Sequence, residues 1–173
     1  MGRFSKIFEI GMIVGALALP VFADAPSQSG WDFDSIAATP EKPSSAYLAA
    51  QEIYFTSLGQ IDRWNAHDME GYLEVFEKSP TMVSVVDGDV TIGWQELHDH
   101  SVRSYHDPNS MGRCTFNRLC VRMTGPDTAY VLAYWTIVFG GSKHIVVGVD
   151  SSDMKKLGSS WKITSAHTST IEM

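Results

Sequence analysis

The last predicted strand of this 173-residue chain carries the residue best suited to proton transfer. In a regular strand alternate residues share one face, which here carries Trp161, Ile163, Ser165, His167 and Ser169. The apolar tryptophan predicts that this face points into the protein. His167 is then a candidate general base, because an imidazole with a pKa of about 6.5 exchanges protons near neutrality. The alternative is a core histidine that bonds to a neighbouring helix.

A second histidine, His98, shares the apolar face of a predicted helix with Trp94 and Tyr105. This placement makes His98 the second candidate to line a cavity. It cannot form a helical metal site with His100, because a helix separates residues i and i+2 by about 200°.

The segment around His67 and Asp68 offers a metal-binding pattern together with Glu70. Helix capping explains it more economically, because the Asp68 carboxylate can accept the free backbone N–H groups of a helix that starts at Met69. We therefore predict no metal site, and the sequence gives no indication of a cofactor.

Aromatic residues recur through the predicted helices and strands. Most such side chains belong to a core, yet several that converge on one interior can also hold a flat apolar ligand. The Ser and Asp residues at 150–153 show no nucleophile motif, and we interpret them as a bulged or solvated edge. The predicted ligand-binding residues are Tyr54, Trp64, Tyr72, Trp94, His98, Trp135, His167 and Ser169.

Three helices are predicted to position these residues. The first has apolar residues at three- and four-residue steps over 47–64 and is capped by Ser44. The second is capped by Asp68 and runs over 69–78, before a proline. The third begins at Gly93 and ends before Pro108.

Strands fill most of the second half of the chain. A β-branched strand at 81–86 leads into a hairpin turn, and four longer strands follow at 113–123, 128–139, 144–156 and 161–170. This order predicts an α+β fold in which three N-terminal helices pack in the concave face of a strongly curved antiparallel sheet. Such a cone-shaped α+β barrel encloses a cavity.

The N-terminus has the pattern of an export signal. Basic residues precede an apolar run over 10–19, Pro20 breaks the run, and a cleavage site follows. The run is shorter than the roughly 20 apolar residues that cross a bilayer. We predict a signal peptide at 1–23, a linker or N-terminal arm at 24–43 and one domain at 44–173. The protein is then secreted or periplasmic, with no membrane segment after cleavage.

Charge and cysteine content bear on partners. The chain has 13 basic and 20 acidic residues and no basic run, so nucleic acid is not an expected partner. A hydrophobic content of 44% predicts a packed core rather than disorder.

Cys114 and Cys120 lie about 20 Å apart if one extended strand holds both, too far for a disulfide. Free thiols, or a link between subunits, are the consistent alternatives.

Four features in order resemble the SnoaL-like domains of the nuclear-transport-factor-like superfamily, over roughly 47–170. They are the helix break at 64–76, the Gly93-Trp94 helix start, the turn at 125–129, and the closing strand with Trp161, Lys162, Ile163, His167 and Ser169. The resemblance implies a cone-shaped α+β barrel. It implies no single activity, because the superfamily includes ketosteroid isomerases, polyketide cyclases, dehydratases, epoxide hydrolases and non-catalytic binding or assembly domains. Its catalytic members use a carboxylate or histidine base deep in the cone, and no member's full catalytic set matches this chain.

Three functional hypotheses follow. The leading one is an exported domain that binds a small, largely apolar molecule in the cone and forms a homodimer through the outer sheet face. The second is a lyase, isomerase or hydrolase in which His167 is the general base. The third is a non-catalytic oligomerisation module whose cone is filled by its own side chains.

Overall fold

The structure is a computed structural model that describes residues 30–31, 42–140 and 144–172. Within them one seven-stranded sheet has the order β1-β4-β5-β6-β7-β2-β3. The helices are α1 (Ser45–Asn65), α2 (Met69–Leu73) and α3 (Trp94–Ser104), and a 3-10 turn spans Pro108–Ser110. The strands are β1 (Gly30–Trp31), β2 (Val83–Val86), β3 (Asp89–Ile92), β4 (Arg113–Gly125), β5 (Thr128–Val138), β6 (Ile145–Leu157) and β7 (Ser160–Glu172).

The predicted α+β class is confirmed, with one difference in strand direction. Five of the neighbouring strand pairs in the described sheet are antiparallel, whereas β2 pairs with β7 in parallel. The two ends of the sheet, β1 and β3, do not pair with each other, so the cone stays open along one side.

Both predicted helix caps are present. The Ser44 hydroxyl accepts the backbone N–H of Tyr47 at 3.1 Å, and the Asp68 carboxylate accepts that of Gly71 at 2.9 Å. Asp68 also pairs with Arg63 on the preceding helix at 2.9 Å. Capping therefore accounts for the carboxylate that first suggested a metal site.

The second helix is shorter than predicted, ending at Leu73 rather than near residue 78. The backbone of the next residues bonds to the sheet instead. The Val75 carbonyl accepts the N–H of Ile163, and the N–H of Glu77 donates to the Ile163 carbonyl, both at 2.9 Å. Pairing with β7 thus replaces the last predicted helical turn, because those backbone groups have only one set of partners.

A β-bulge in β7 decides which side chains face the interior. Ile163 lies opposite Met154 and Ser165 lies opposite Asp153, which leaves Thr164 as the extra residue. An extra residue shifts all later side chains to the other face. The prediction that Trp161, Ile163, Ser165, His167 and Ser169 share one face is therefore wrong. The first two are buried inside, whereas His167 and Ser169 are exposed on the outer face.

Helix α1 is fastened to β4 at its C-terminal end. The Trp64 indole N–H donates to the Gly112 carbonyl at 2.7 Å. The Asn65 amide bonds the backbone of Cys114 in both directions, at 2.9 and 2.8 Å. These bonds hold α1 across the concave face, where the core contains the fully buried Ile53, Leu73, Met82, Leu119 and Val121.

Of the two segments predicted to precede the domain, the structure describes only residues 30–31 and 42–43. From the arm predicted at 24–43, Gly30 and Trp31 pair with Arg122 and Val121 of β4. The predicted signal peptide at 1–23 lies outside the described residues. Both cysteines are free thiols, Cys114 buried and Cys120 half-buried.

Candidate functional site

Asp150 lies in the middle of β6, on the concave face of the sheet. It lies opposite the buried Ala133 of β5 on one side and Thr168 of β7 on the other, and directly paired residues share a face. The carboxyl accepts hydrogen bonds from the side chains of Trp135 and Thr168. Its Oδ1 atom is buried and has no hydrogen-bond partner in the structure. One carboxyl oxygen is thus left to bond something else.

Burial sets the proton affinity of this carboxyl. Loss of solvent raises the pKa of Asp150 above its ordinary value, and the hydrogen bonds from Trp135 and Thr168 offset only part of that increase. Among the described residues of β4–β7, Lys156 is the one Lys, Arg or His at an inward position, and its Nζ bonds to Glu52 at 2.8 Å rather than to Asp150. Asp150 is therefore poised to exchange a proton closer to neutrality than an exposed aspartate.

Trp135 forms a wall of the site, and Gly148 allows it to do so. These residues lie opposite each other on β5 and β6. A Cβ atom placed on Gly148 would lie 2.2 Å from Cζ2 of the Trp135 indole, so the ring occupies the space that any side chain would need. The indole thereby lies along β6 and reaches the carboxyl two residues further on.

The opposite wall comes from the helical layer. Trp64 contacts both Tyr72 and Tyr105 edge-on, with ring centroids 5.4 and 5.0 Å away. Burial raises the pKa of Tyr72, and the charge of Asp150 raises it further, which places the two groups within electrostatic reach. Burial also raises the pKa of Tyr105. Both phenols stay protonated near neutrality and can donate hydrogen bonds.

Part of this concave face is open to solvent. Asp150, Ser152, Ala166 and Thr168 all face inward by strand register, yet none of them is fully buried. This part of the concave surface is therefore in contact with solvent.

Comparison with known proteins bears on the fold. No family model matches this chain, and no curated protein matches it. Among similar solved structures, an NTF-2 like protein of unknown function from Shewanella oneidensis has a TM-score of 0.65 at 23% identity, over 70% of this chain and 98% of that one. A protein from Novosphingobium aromaticivorans, named as a candidate scytalone dehydratase, has a TM-score of 0.65 at 10% identity, over 75% and 89%. An NTF2-like protein of unknown function from Pseudomonas putida has a TM-score of 0.61 at 16% identity, over 70% and 86%.

The chain has an NTF2-like fold. The predicted resemblance to that superfamily is thus confirmed for the architecture. At these identities the similarity shows the fold alone and extends to no reaction or ligand, so the chemistry of a site has to be argued from the residues present.

The predicted ligand-binding residues divide into three places in the NTF2-like fold. Trp64, Tyr72 and Trp135 lie in the core or pack against it, and Trp135 and Tyr72 interact with Asp150. Tyr54 is half-buried at the edge of the core, with its ring against Phe55 at 5.5 Å. Of the remaining four, Trp94 and His98 are half-buried at the rim on α3, with Trp94 packed against the core, and His167 and Ser169 are exposed on the outer face.

At the rim, His98 links two helices rather than lining the cavity. Its Nε2 lies 3.0 Å from a Glu70 carboxylate oxygen on α2, and its Nδ1 lies 3.0 Å from Asp99. The hydrogen bonds with Asp99, then with Glu70, raise the pKa of His98 above its ordinary value. The ring also packs on Trp94 at 4.9 Å. His98 is therefore charged over a wider pH range and joins α2 to α3.

Asp150 was missed by the sequence analysis, which placed 150–153 at a solvated edge. The signal was present in the alternation of Gly148, Asp150, Ser152 and Met154, which ends on a core methionine. A polar residue in phase with a buried one indicates an inward position. Its neighbour Trp135 could be inferred only once β5 and β6 were paired.

Two surface grooves lie elsewhere on the protein. A groove of about 810 Å³ runs between α1 and the turn that joins β6 to β7, and one of about 490 Å³ lies beside Trp94. In the larger groove Glu52 accepts hydrogen bonds from Lys156 at 2.8 Å and from the Trp161 indole at 3.0 Å. These polar groups already have partners, unlike Oδ1 of Asp150.

Among the described residues, no group of three or more His, Cys, Asp or Glu side chains is arranged to hold a metal ion. No helix in the same part of the chain is long and apolar enough to cross a membrane.

Cys114, which also faces the interior, has its pKa raised to about 12 by burial and by the charge of Asp150. It is therefore a thiol, and a poor nucleophile, near neutral pH.

Proposed function

We propose that this protein binds a small, largely apolar molecule on the concave face of its NTF2-like fold, with Asp150 as the polar contact. The observation that carries the proposal is the buried Oδ1 atom of Asp150, which has no hydrogen-bond partner beside a partly exposed surface. An unsatisfied buried acceptor costs about 1–3 kcal/mol, and a ligand donor would recover that energy. Trp135 and Tyr72 supply the apolar walls that such sites usually have.

This proposal keeps the predicted class of function and changes the residue at its centre. His167 was the predicted polar group, but it is exposed on the outer face. Asp150 lies one strand away and faces inward, with bonds from Trp135 and Thr168 that fix its orientation. A carboxyl fixed by two donors gives a ligand a defined place to bond.

Nuclear magnetic resonance of the full chain with a fragment library tests the site. We expect bound fragments to shift the indole N–H signal of Trp135, which bonds to Asp150. The indole N–H of Trp161 is a control within the same molecule, because it bonds to Glu52 in the larger surface groove. Fragments that shift Trp161 and leave Trp135 unchanged would place binding in that groove and overturn the proposal.

A second candidate function is an enzyme of the lyase, isomerase or hydrolase type in which Asp150 replaces His167 as the acid or base. The observation that favours it is the raised pKa of a carboxyl that keeps one oxygen free. One structural neighbour is named as a candidate scytalone dehydratase, and loss of water is a reaction that needs proton transfer. Turnover of a fragment that binds beside Trp135 supports this candidate, and binding without turnover supports the first.

We also propose export and self-association, which the fold leaves open. Export predicts a mature chain that begins at Asp24 or Pro26, and intact mass measurement of the protein recovered outside the cytoplasm checks it. Self-association through the outer sheet face predicts a dimer in light scattering that is weakened by Leu132→Asp, a change at a half-buried outer position. A monomer at high concentration would contradict both the dimer and an oligomerisation module.

A further inference from the structure

The middle of the concave face carries a negative group without a positive one beside it. Asp150 is the only carboxylic acid at a mid-strand inward position of the described strands β4–β7, since Glu172 lies at the end of β7. The one Lys, Arg or His at an inward position of these strands is Lys156, near the other end of β6, and its Nζ bonds to Glu52 at 2.8 Å.

The nearby cations of the helical layer are engaged at the surface. Arg63 pairs with Asp68, and His98 lies between Glu70 and Asp99. No described side chain is therefore left to neutralise Asp150 from inside the cone.

Aromatic rings surround the same carboxyl. The Trp135 indole lies along β6 and donates to Asp150, and Tyr72 is close enough for the charge of Asp150 to affect it. Tyr72 and Tyr105 are held in place by edge-on contacts with Trp64. Ring faces attract cations through their quadrupole, most strongly where water is excluded.

We propose that the molecule bound on this concave face is an organic cation, an amine on an apolar body, with its ammonium group on Oδ1 of Asp150 and its body against Trp135 and Tyr72. This inference rests on the proposed function, because it names the class of ligand for that site. An ammonium group supplies both of the things that the carboxyl lacks, which are a hydrogen-bond donor and a positive charge.

Other ligand charges fit less well. An anion would meet the negative carboxyl in a low-dielectric site with no described cation acting on it, which costs several kcal/mol. A neutral ligand can satisfy Oδ1 but leaves a buried charge uncompensated, unless the carboxyl takes up a proton. Burial does favour that proton while the site is empty. A cation would then release it on binding, so affinity for an amine rises with pH until Asp150 is ionised.

A probe series of one shape and different charge tests this inference on the full chain. Phenethylamine is a cation, phenethyl alcohol is neutral and phenylacetate is an anion. Trimethyl(phenethyl)ammonium keeps the charge without an N–H donor. We expect phenethylamine to bind at least about tenfold more tightly than phenethyl alcohol by calorimetry, with phenylacetate weakest. The affinity for phenethylamine should increase from pH 5 to pH 8, where the amine, with a pKa of about 10, stays charged.

The variant Asp150→Asn keeps the shape of the side chain and removes its charge. We expect it to abolish the preference for phenethylamine over the alcohol. Its matched control is Asp153→Asn on the outer face of the same strand, where the carboxylate accepts the Ser165 hydroxyl at 2.8 Å. The control should keep the preference. Because the probe series and the pH series use the unaltered protein, they remain decisive even where a variant is unstable.

The outcomes separate the two proposals. Equal or tighter binding of phenethyl alcohol, with the Trp135 indole signal shifted, would overturn the proposed preference for a cation. The proposed binding site would still be supported. A preference for phenethylamine that survives Asp150→Asn would overturn the cation site as well. If no probe shifts the Trp135 signal at millimolar concentration, the proposed site itself fails, and the inference fails with it.

Discussion

Asp150 of β6 and His167 of β7 lie on neighbouring strands, at register positions one residue apart. Their side chains therefore face opposite sides of the sheet. Asp150 pairs with Thr168 and faces the interior, whereas His167 pairs with Ser151 and faces solvent. Each lies in a strand segment in which several neighbouring residues are polar. Histidine is the side chain most often used as a general base, but here the aspartate has the desolvated position and the fixed donors. Position relative to the sheet, more than residue type, decides which polar group can act on a ligand.

The largest expected effect compares the catalytic rates of variants at Asp150 and at His167. Where a bound fragment is turned over, we expect Asp150→Asn to lower kcat by about a hundredfold or more, because it removes the desolvated carboxyl, whose raised pKa suits it to proton transfer. His167→Gln should leave kcat within about twofold, since that side chain is exposed on the outer face. Steady-state kinetics of both variants checks this, and the reverse pattern would return the catalytic role to His167.

The next effect tests what holds Asp150 in place. We expect Gly148→Ala to destabilise the protein by about 1–3 kcal/mol, because its Cβ would overlap the Trp135 indole. It should also weaken any ligand that contacts Asp150. Gly59→Ala is the matched control, since Gly59 lies in α1 with nothing within 4 Å of the added carbon. That variant should gain about 0.5–1 kcal/mol.

Urea unfolding with tryptophan fluorescence measures both glycine variants. Equal stability of Gly148→Ala and the unaltered protein would mean that the indole has another position available. In that case Gly148 would not determine how Trp135 meets the carboxyl.

A smaller effect concerns the cost of burying Asp150 without a cation. Its pKa is raised in the folded protein, so between the unfolded and folded pKa values the folded state binds more protons than the unfolded chain. Stability therefore falls as pH rises through that interval. Asp150→Asn removes this penalty and should raise stability at pH 7 by on the order of 1 kcal/mol, a Tm increase of about 2–4 °C.

The exposed Asp153 serves as the control for this measurement. Asp153→Asn should change stability by less than about 0.5 kcal/mol at the same pH. Thermal unfolding from pH 4 to pH 8 separates the two variants. A loss of stability in Asp150→Asn at pH 7 would show that the charge is compensated by a group inside the cone.

The smallest effect concerns the rim. The carboxylates of Asp99 and Glu70 raise the pKa of His98 in the folded protein. That stabilisation is complete below the unfolded pKa of the histidine and is lost as pH rises through the folded value. His98→Gln should therefore destabilise the protein slightly at pH 5 and not at pH 9, as measured by thermal unfolding. The same loss at both values would mean that packing on Trp94, rather than charge, holds the rim.

Local signals predicted much of the fold. The helix caps at Ser44 and Asp68 are both present, as predicted, because each side chain bonds to a backbone N–H only three residues away. The long strands were predicted within a few residues, because apolar alternation follows from what each face contacts. The second helix was predicted too long, since its last turn gives way to backbone bonds with Ile163, far along the chain. No pattern within 69–78 contains that partner.

The candidate site was predicted less well than the fold. Trp64, Tyr72 and Trp135 do converge in the interior, because large aromatic residues at apolar positions are core residues in most folds. The polar group predicted among them, His167, lies on the outer face instead. The assignment of His167 assumed a regular β7, and the bulge at Thr164 broke that assumption.

The sequence by itself determined the elements, their order and the apolar faces that bring helices onto a curved sheet. Only the tertiary structure decided which polar residue faces the interior. A one-residue bulge reverses every later side chain of β7, and its position depends on the register with β6 rather than on any local signal. The raised proton affinity of Asp150 likewise arises only after Trp135, Thr168 and the helical layer have removed water from around it.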